Sequence, residues 1–284
     1  MIIETLETKY EVIRYLYSDR HIERYICRVE DGDDTFTCIR IKEKKWIVSV
    51  MEFLMGQLEN RDFTDLSACF VNEEHLYIMM RYTEGILLEE KLSYEETELE
   101  ERLELAKAIL DRLLLQNMPD YFMNDCLQLS RIHVSPGMSI GFEYELAGIT
   151  DYEKTRFADV ESRVAKIMEL LFADELSKKT LPAMEKYIKS LKKNGYRDLM
   201  EMYTVYDELY KAILAMDESE LVTPRTGRFR AWERFKKIMR PVKKIVAVLL
   251  ILGSIGFLIW TAYTSSQDGN SSKVFEYIGS VEIK

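Results

Sequence analysis

Between residues 8 and 30, apolar and β-branched side chains alternate with polar ones in two runs separated by Ser18-Asp19-Arg20. This pattern predicts two strands joined by a polar turn. Asp31-Gly32-Asp33-Asp34 carries hairpin chemistry, and residues 35–42 continue as a third strand. The period then changes. Apolar residues at 46, 47, 50, 51, 54, 55 and 58 recur every three to four positions and predict an amphipathic helix. Residues 66–71 and 75–81, around Asn72-Glu73-Glu74, predict a second hairpin, so the first 84 residues form a small antiparallel sheet carrying one helix.

From Glu98 the spacing is helical. Leu99, Leu103, Ala106, Ile109, Leu110 and Leu113 line one face of a long helix that stops before Pro119. Two short apolar runs around Ser135-Pro136-Gly137 predict a pair of short strands. Helices are predicted over 159–173, 181–193 (with Pro182 near the first position) and 196–216. The chain thus reads as a mixed N-lobe, 1–84, and a helical C-lobe, 85–220, joined near Thr83-Glu84-Gly85.

Composition supports a packed core, since 47% of the 284 residues are hydrophobic. Glycine (12) and proline (5) are scarce, which disfavours folds built on glycine-rich phosphate cradles. The four cysteines, at 27, 38, 69 and 126, are widely spaced and form no CxxC pair. No zinc site or disulfide framework follows, and a reducing compartment fits better.

The net charge of −10 hides a division. The first 224 residues are strongly acidic, whereas segment 221–244 carries Arg225, Arg228, Arg230, Arg234, Lys236, Lys237, Arg240, Lys243 and Lys244 against Glu233 alone. Directly after it, Ile245 opens an apolar run through Gly253, Gly256 and Trp260 to Tyr263, with no ionisable group except the terminal tyrosine. At about 1.5 Å per residue, 245–263 makes a helix of roughly 28 Å, close to the ~30 Å hydrocarbon thickness of a bilayer. It is expected to span a cell membrane once. The lysine and arginine asymmetry places the N-terminal part in the cytoplasm and the tail, 264–284, outside. Phe229, Trp232, Phe235 and Met239 recur at helical spacing among the cations, so this juxtamembrane stretch is also suited to lie on an anionic leaflet. Nucleic acid is a poor partner for so acidic a remainder.

The order of elements resembles a protein kinase, an α+β, two-lobed fold. In that resemblance residues 39–42 end the third N-lobe strand, Glu52 lies on the following helix, and 131–145 take the place of the catalytic and metal-binding loops. The chemistry is then missing part by part. No glycine precedes Gly32, so nothing brings backbone N–H groups close to phosphates. Arg40, two residues before Lys42, is expected to obstruct a purine. Asp125 is followed five residues on by Ser130 rather than a metal-binding asparagine, and the second metal site reads Glu143-Tyr144-Glu145. Lys42 and Glu52 are expected to be unrelated charges. The domain therefore reads as a pseudokinase, with no catalytic residue, metal or cofactor.

A degenerate kinase-like domain, a basic juxtamembrane stretch and a single span, in that order, is similar to the EssB/YukC family of Gram-positive type VII secretion systems. The residues that carry the likeness are RIHVSPGMSIGFEYELAGI, then Asp151-Tyr152-Glu153-Lys154 leading into DVESRVAKIMELLF, and Gly195-Tyr196-Arg197-Asp198-Leu199-Met200. The resemblance implies a non-catalytic scaffold that self-associates and contacts an FtsK/SpoIIIE-type membrane ATPase and other membrane subunits of the machine. The competing expectation is an atypical transmembrane kinase or nucleotide sensor that uses Lys42 with Glu143 or Glu145.

Overall fold

The computed structural model describes residues 1–5, 8–30 and 32–216, all within the unit Met1–Leu221. The juxtamembrane segment, the 245–263 span and the tail lie outside the described residues. Among the described residues, no helix is long and apolar enough to cross a membrane.

Six strands make one antiparallel sheet: β1 (Ile2–Glu4), β2 (Lys9–Ser18), β3 (Ile22–Val29), β4 (Thr35–Ile41), β5 (Leu66–Asn72) and β6 (His75–Arg81). Their spatial order is β1-β2-β3-β4-β6-β5, and α1 (Lys44–Leu58) is inserted between β4 and β5. Strand alternation gives the sheet two apolar faces. Ile39, Ile41, Ile78 and Met80 face inward onto Val50 and Leu54 of α1. Tyr10, Tyr25, Cys27, Cys38, Tyr77 and Met79 form a second cluster on the outer face. The sheet curls over that cluster: Tyr10 of β2 stacks on Phe70 of β5 at 6.2 Å, and Asn72 Nδ2 donates to the Glu4 carbonyl at 3.1 Å.

The hinge leads into β7 (Ile86–Leu87), α2 (Leu88–Tyr94), α3 (Leu99–Gln116) and α4 (Asp120–Cys126). Asn117 ends α3 in the left-handed conformation (φ 44°), a common way for a helix to stop. Strands β8 (Ile132–Ser135) and β9 (Ser139–Phe142) join β7 in a three-stranded sheet. The remainder is α5 (Phe157–Leu171), α6 (Ala173–Lys178), α7 (Pro182–Leu191) and α8 (Leu199–Leu214). Tyr206 donates to the Leu103 carbonyl at 2.9 Å, tying α8 to α3, and buried Glu161 accepts the Tyr196 N–H at 3.0 Å, holding the loop between α7 and α8.

Pattern alone missed β1, β7, α2, α4 and α6, all of seven residues or fewer. Such elements complete too few periods to register, and neighbours rather than propensity order them. The last helix begins at Leu199, not 196, because Asp198 caps it by accepting the Glu201 N–H at 2.9 Å.

Candidate functional site: a bridged cleft between the lobes

Residues i and i+2 of a strand share a face, and that rule decides the chemistry of the cleft. Thr37 of β4 lines the inner cleft together with its register partners Ile26 on β3 and Met80 on β6. Ile39 and Ile41 therefore point the same way as Thr37 and are fully buried. Arg40 belongs to the opposite face, so the expected obstruction of a purine by its guanidinium is corrected: Arg40 pairs with Glu23 at 3.1 Å on the outer side. Lys42 also goes to Glu23, at 2.9 Å, and donates to the Asp19 carbonyl. Glu52 is exposed on α1, and no ion pair with Lys42 forms.

The cation that enters the cleft is Arg24, on β3, which periodicity did not single out. Its Nη1 lies 3.1 Å from Glu143 and its Nη2 3.2 Å from Glu145, so one guanidinium joins the N-lobe sheet to the loop after β9. The ring of Tyr17 lies 5.5 Å below the guanidinium carbon. His133 of β8 adds a 3.4 Å contact to the other oxygen of Glu143. The His133 hydrogen bond, with help from Arg24, holds the Glu143 carboxyl below its ordinary range against the opposing effect of burial.

Asp125, at the end of α4, is committed below this bridge. Its Oδ1 accepts from Arg131 at 2.8 Å, and its Oδ2 accepts the N–H groups of Glu145 (2.9 Å) and Leu146 (3.1 Å). Arg131 also binds Glu145, which closes a chain of charges from β3 to α4. Burial pushes the Asp125 carboxyl upward, opposed first by Arg131. Tyr144, between the two glutamates, is buried and donates to Asp65 at 2.9 Å, while Arg112 of α3 holds the other Asp65 oxygen at 2.6 Å.

The bridge divides the cleft. The inner part, bounded by the hinge residues Tyr82 and Thr83, His133 and Phe142, holds a cavity of about 90 Å³. The outer part, of about 390 Å³, lies between Tyr17, Ile22, Trp46 and residues 147–150. Ligand sites run from roughly 300 to 1,000 Å³, so the hinge side, where a kinase seats its purine, is far below that range, while the outer part lies within it. The carboxylates fit a nucleotide-bound metal no better: both oxygens of Asp125 and both of Glu143 already have partners. At the hinge and at these two carboxylates the residues present do not fit Mg-nucleotide. Among the described residues, no group of three or more His, Cys, Asp or Glu has metal-binding geometry.

The outer-face charges give a pH signature. Burial acts to raise the Glu23 carboxyl, but hydrogen bonds from Tyr25, Lys42 and Ser18, with Arg40 alongside, outweigh it and hold it at about 2. A carboxyl depressed in the folded state gives stability that is complete above its unfolded value and is lost as pH falls through the folded one. Unfolding free energy should therefore decline from about pH 4.5 toward pH 2. Urea titrations over that range should show Glu23→Gln less stable at neutral pH and with a shallower acid limb; an unchanged limb refutes the assignment.

The Asp151-Tyr152-Glu153-Lys154 segment lies in a 3-10 turn, Ile149–Lys154, where the Tyr152 ring stacks on Phe53 of α1 at 3.9 Å. The candidate span and juxtamembrane residues are outside the described residues.

This two-lobed arrangement, with one helix inserted in an antiparallel sheet and a bridged cleft above a helical lobe, is a protein-kinase-like fold. The crystal structure of a mutant Mycobacterium tuberculosis PknI kinase domain matches with a TM-score of 0.51 and 11% sequence identity, over 70% of this chain and 95% of that one. A second PknI kinase domain structure from the same organism gives 0.48 at 12% identity over the same shares of the two chains. No family model and no curated protein matches the sequence.

Proposed function

We propose that this chain is a non-catalytic scaffold, a pseudokinase domain held at a cell membrane by its 245–263 segment, that serves a type VII (WXG-type) protein secretion machine of Gram-positive bacteria. The observation that carries the non-catalytic part is the Arg24 bridge to Glu143 and Glu145, with only about 90 Å³ left beside the hinge. The place in a secretion machine rests on the sequence resemblance over 127–172 and on the order of domain, basic stretch and apolar segment. Its partners in this reading are a second copy of the chain, an FtsK/SpoIIIE-type ATPase and other membrane subunits, met through protein surfaces rather than a nucleotide. The alternative kinase needs Lys42 near Glu143 or Glu145, and Lys42 lies on the other face of the sheet with Glu23.

Calorimetric titration of the full chain with Mg-ATP tests the non-catalytic part, and no heat of binding up to millimolar nucleotide is expected. Arg24→Ala should bind no better, because Lys42 is held by Glu23 on the other face of the sheet. Micromolar binding, or phosphate transfer abolished by Lys42→Ala, overturns the proposal. The secretion part fails if deleting the gene leaves export of small WXG-type proteins intact.

A further inference from the structure

Three sulfur atoms converge where α1 packs against β5. Met51 and Met55 lie one turn apart on α1, so their side chains share a face. Cys69 of β5 meets that face. Its Sγ is 3.7 Å from the Met51 Sδ and 4.0 Å from the Met55 Sδ. Three ligands around a trigonal ion with metal–sulfur bonds of about 2.3 Å stand about 4.0 Å from one another. Both observed sulfur separations lie close to that value.

The geometry points to a binding site for a soft monovalent cation, Cu(I), held by the Cys69 thiolate and the Met51 and Met55 thioethers. The donor set selects the metal, because thiolate and thioether sulfur suit Cu(I) whereas magnesium, calcium and manganese take oxygen. Charge selects it again. One thiolate and one monovalent ion make a neutral unit, which a half-buried apolar site tolerates without a counter-ion, whereas a divalent ion leaves one uncompensated positive charge. Binding releases the Cys69 proton as the sulfur–metal bond forms, and neither partner changes oxidation state. Met51 and Cys69 are half-buried against the core, while Met55 is 47% exposed and gives the ion an entrance. Cys27, Cys38 and Cys126 are buried, which leaves Cys69 the accessible thiol among the described residues. A bound ion pins α1 to β5. The site is independent of the cleft and of the secretion reading.

The test uses the full chain, reduced and anaerobic, competing for Cu(I) with a chromophoric Cu(I) chelator. One equivalent withdrawn from the chelator is expected, together with a rise in melting temperature and protection of Cys69 from alkylation. Cys69→Ser should weaken binding by roughly a hundredfold or more, since loss of an outer-shell partner alone costs ten- to a hundredfold. The double variant Met51→Leu, Met55→Leu preserves volume and so the fold, and should lose at least roughly tenfold. No withdrawal of Cu(I) by the native chain, equal affinity in Cys69→Ser, or alkylation of Cys69 at the same rate with and without the ion overturns the assignment.

Discussion

Replacing Asp125 by alanine is expected to destabilise the two-lobed domain by about 3–5 kcal/mol, the usual cost of removing one partner from a buried ion pair. The side chain is 4% exposed, and three donors depend on it: Arg131 and the N–H groups of Glu145 and Leu146. Without it a guanidinium only 10% exposed loses its nearest buried anion, and two amides lose their acceptor. Asp125→Asn keeps an acceptor and should fall between the native chain and the alanine variant. A catalytic aspartate behaves the opposite way, because active-site groups are commonly a burden on stability and their replacement stops turnover while the fold persists. Equilibrium unfolding in urea decides the matter. A stability loss below about 1 kcal/mol for Asp125→Ala would show that the carboxylate is not the keystone described here.

The second large effect is expected at the hinge. A Cβ on Gly141 of β9 would stand 1.8 Å from the Thr83 Cγ2 and 2.8 Å from its Cβ, so the hinge is packed against the floor of the cleft where β9 carries no side chain. Gly141→Ala forces these apart, and overpacking of this kind costs about 1–3 kcal/mol. All three clashing atoms belong to the Thr83 side chain, which makes the prediction specific. Thr83→Gly in the same molecule should recover most of the loss, whereas Thr83→Gly alone should cost far less than Gly141→Ala. If the double variant melts with Gly141→Ala rather than with Thr83→Gly, the contact is not what limits the approach of hinge and β9.

The long periodic elements were readable because each completes several periods. The helix from 99 and the two N-lobe hairpins lie within a residue or two of where periodicity places them. The cleft was not readable in the same way. Arg40 and Lys42 look like cleft residues when the kinase pattern is laid along the strand, but a shift of one residue exchanges the two faces of a sheet. That parity was set by Ile39 and Ile41 packing on α1, a contact between segments that no local window contains. Arg24 left no signal for a related reason: its partners Glu143 and Glu145 are more than a hundred residues away. A charged residue on an alternating strand is ordinarily a solvated one. Only the meeting of the lobes turns it into a bridge.

By itself the sequence determined that a small antiparallel sheet with one helix precedes a helical lobe, that no glycine-rich phosphate loop precedes the first hairpin, and that an acidic domain is followed by a basic and then an apolar segment. These are properties of composition and period, which each stretch of chain expresses without help from the rest. The tertiary structure decided which face of β4 looks into the cleft, which cation crosses it and how little space is left beside the hinge. Those follow from the side chains that two distant segments must bury together, and burial is settled only when both are in place.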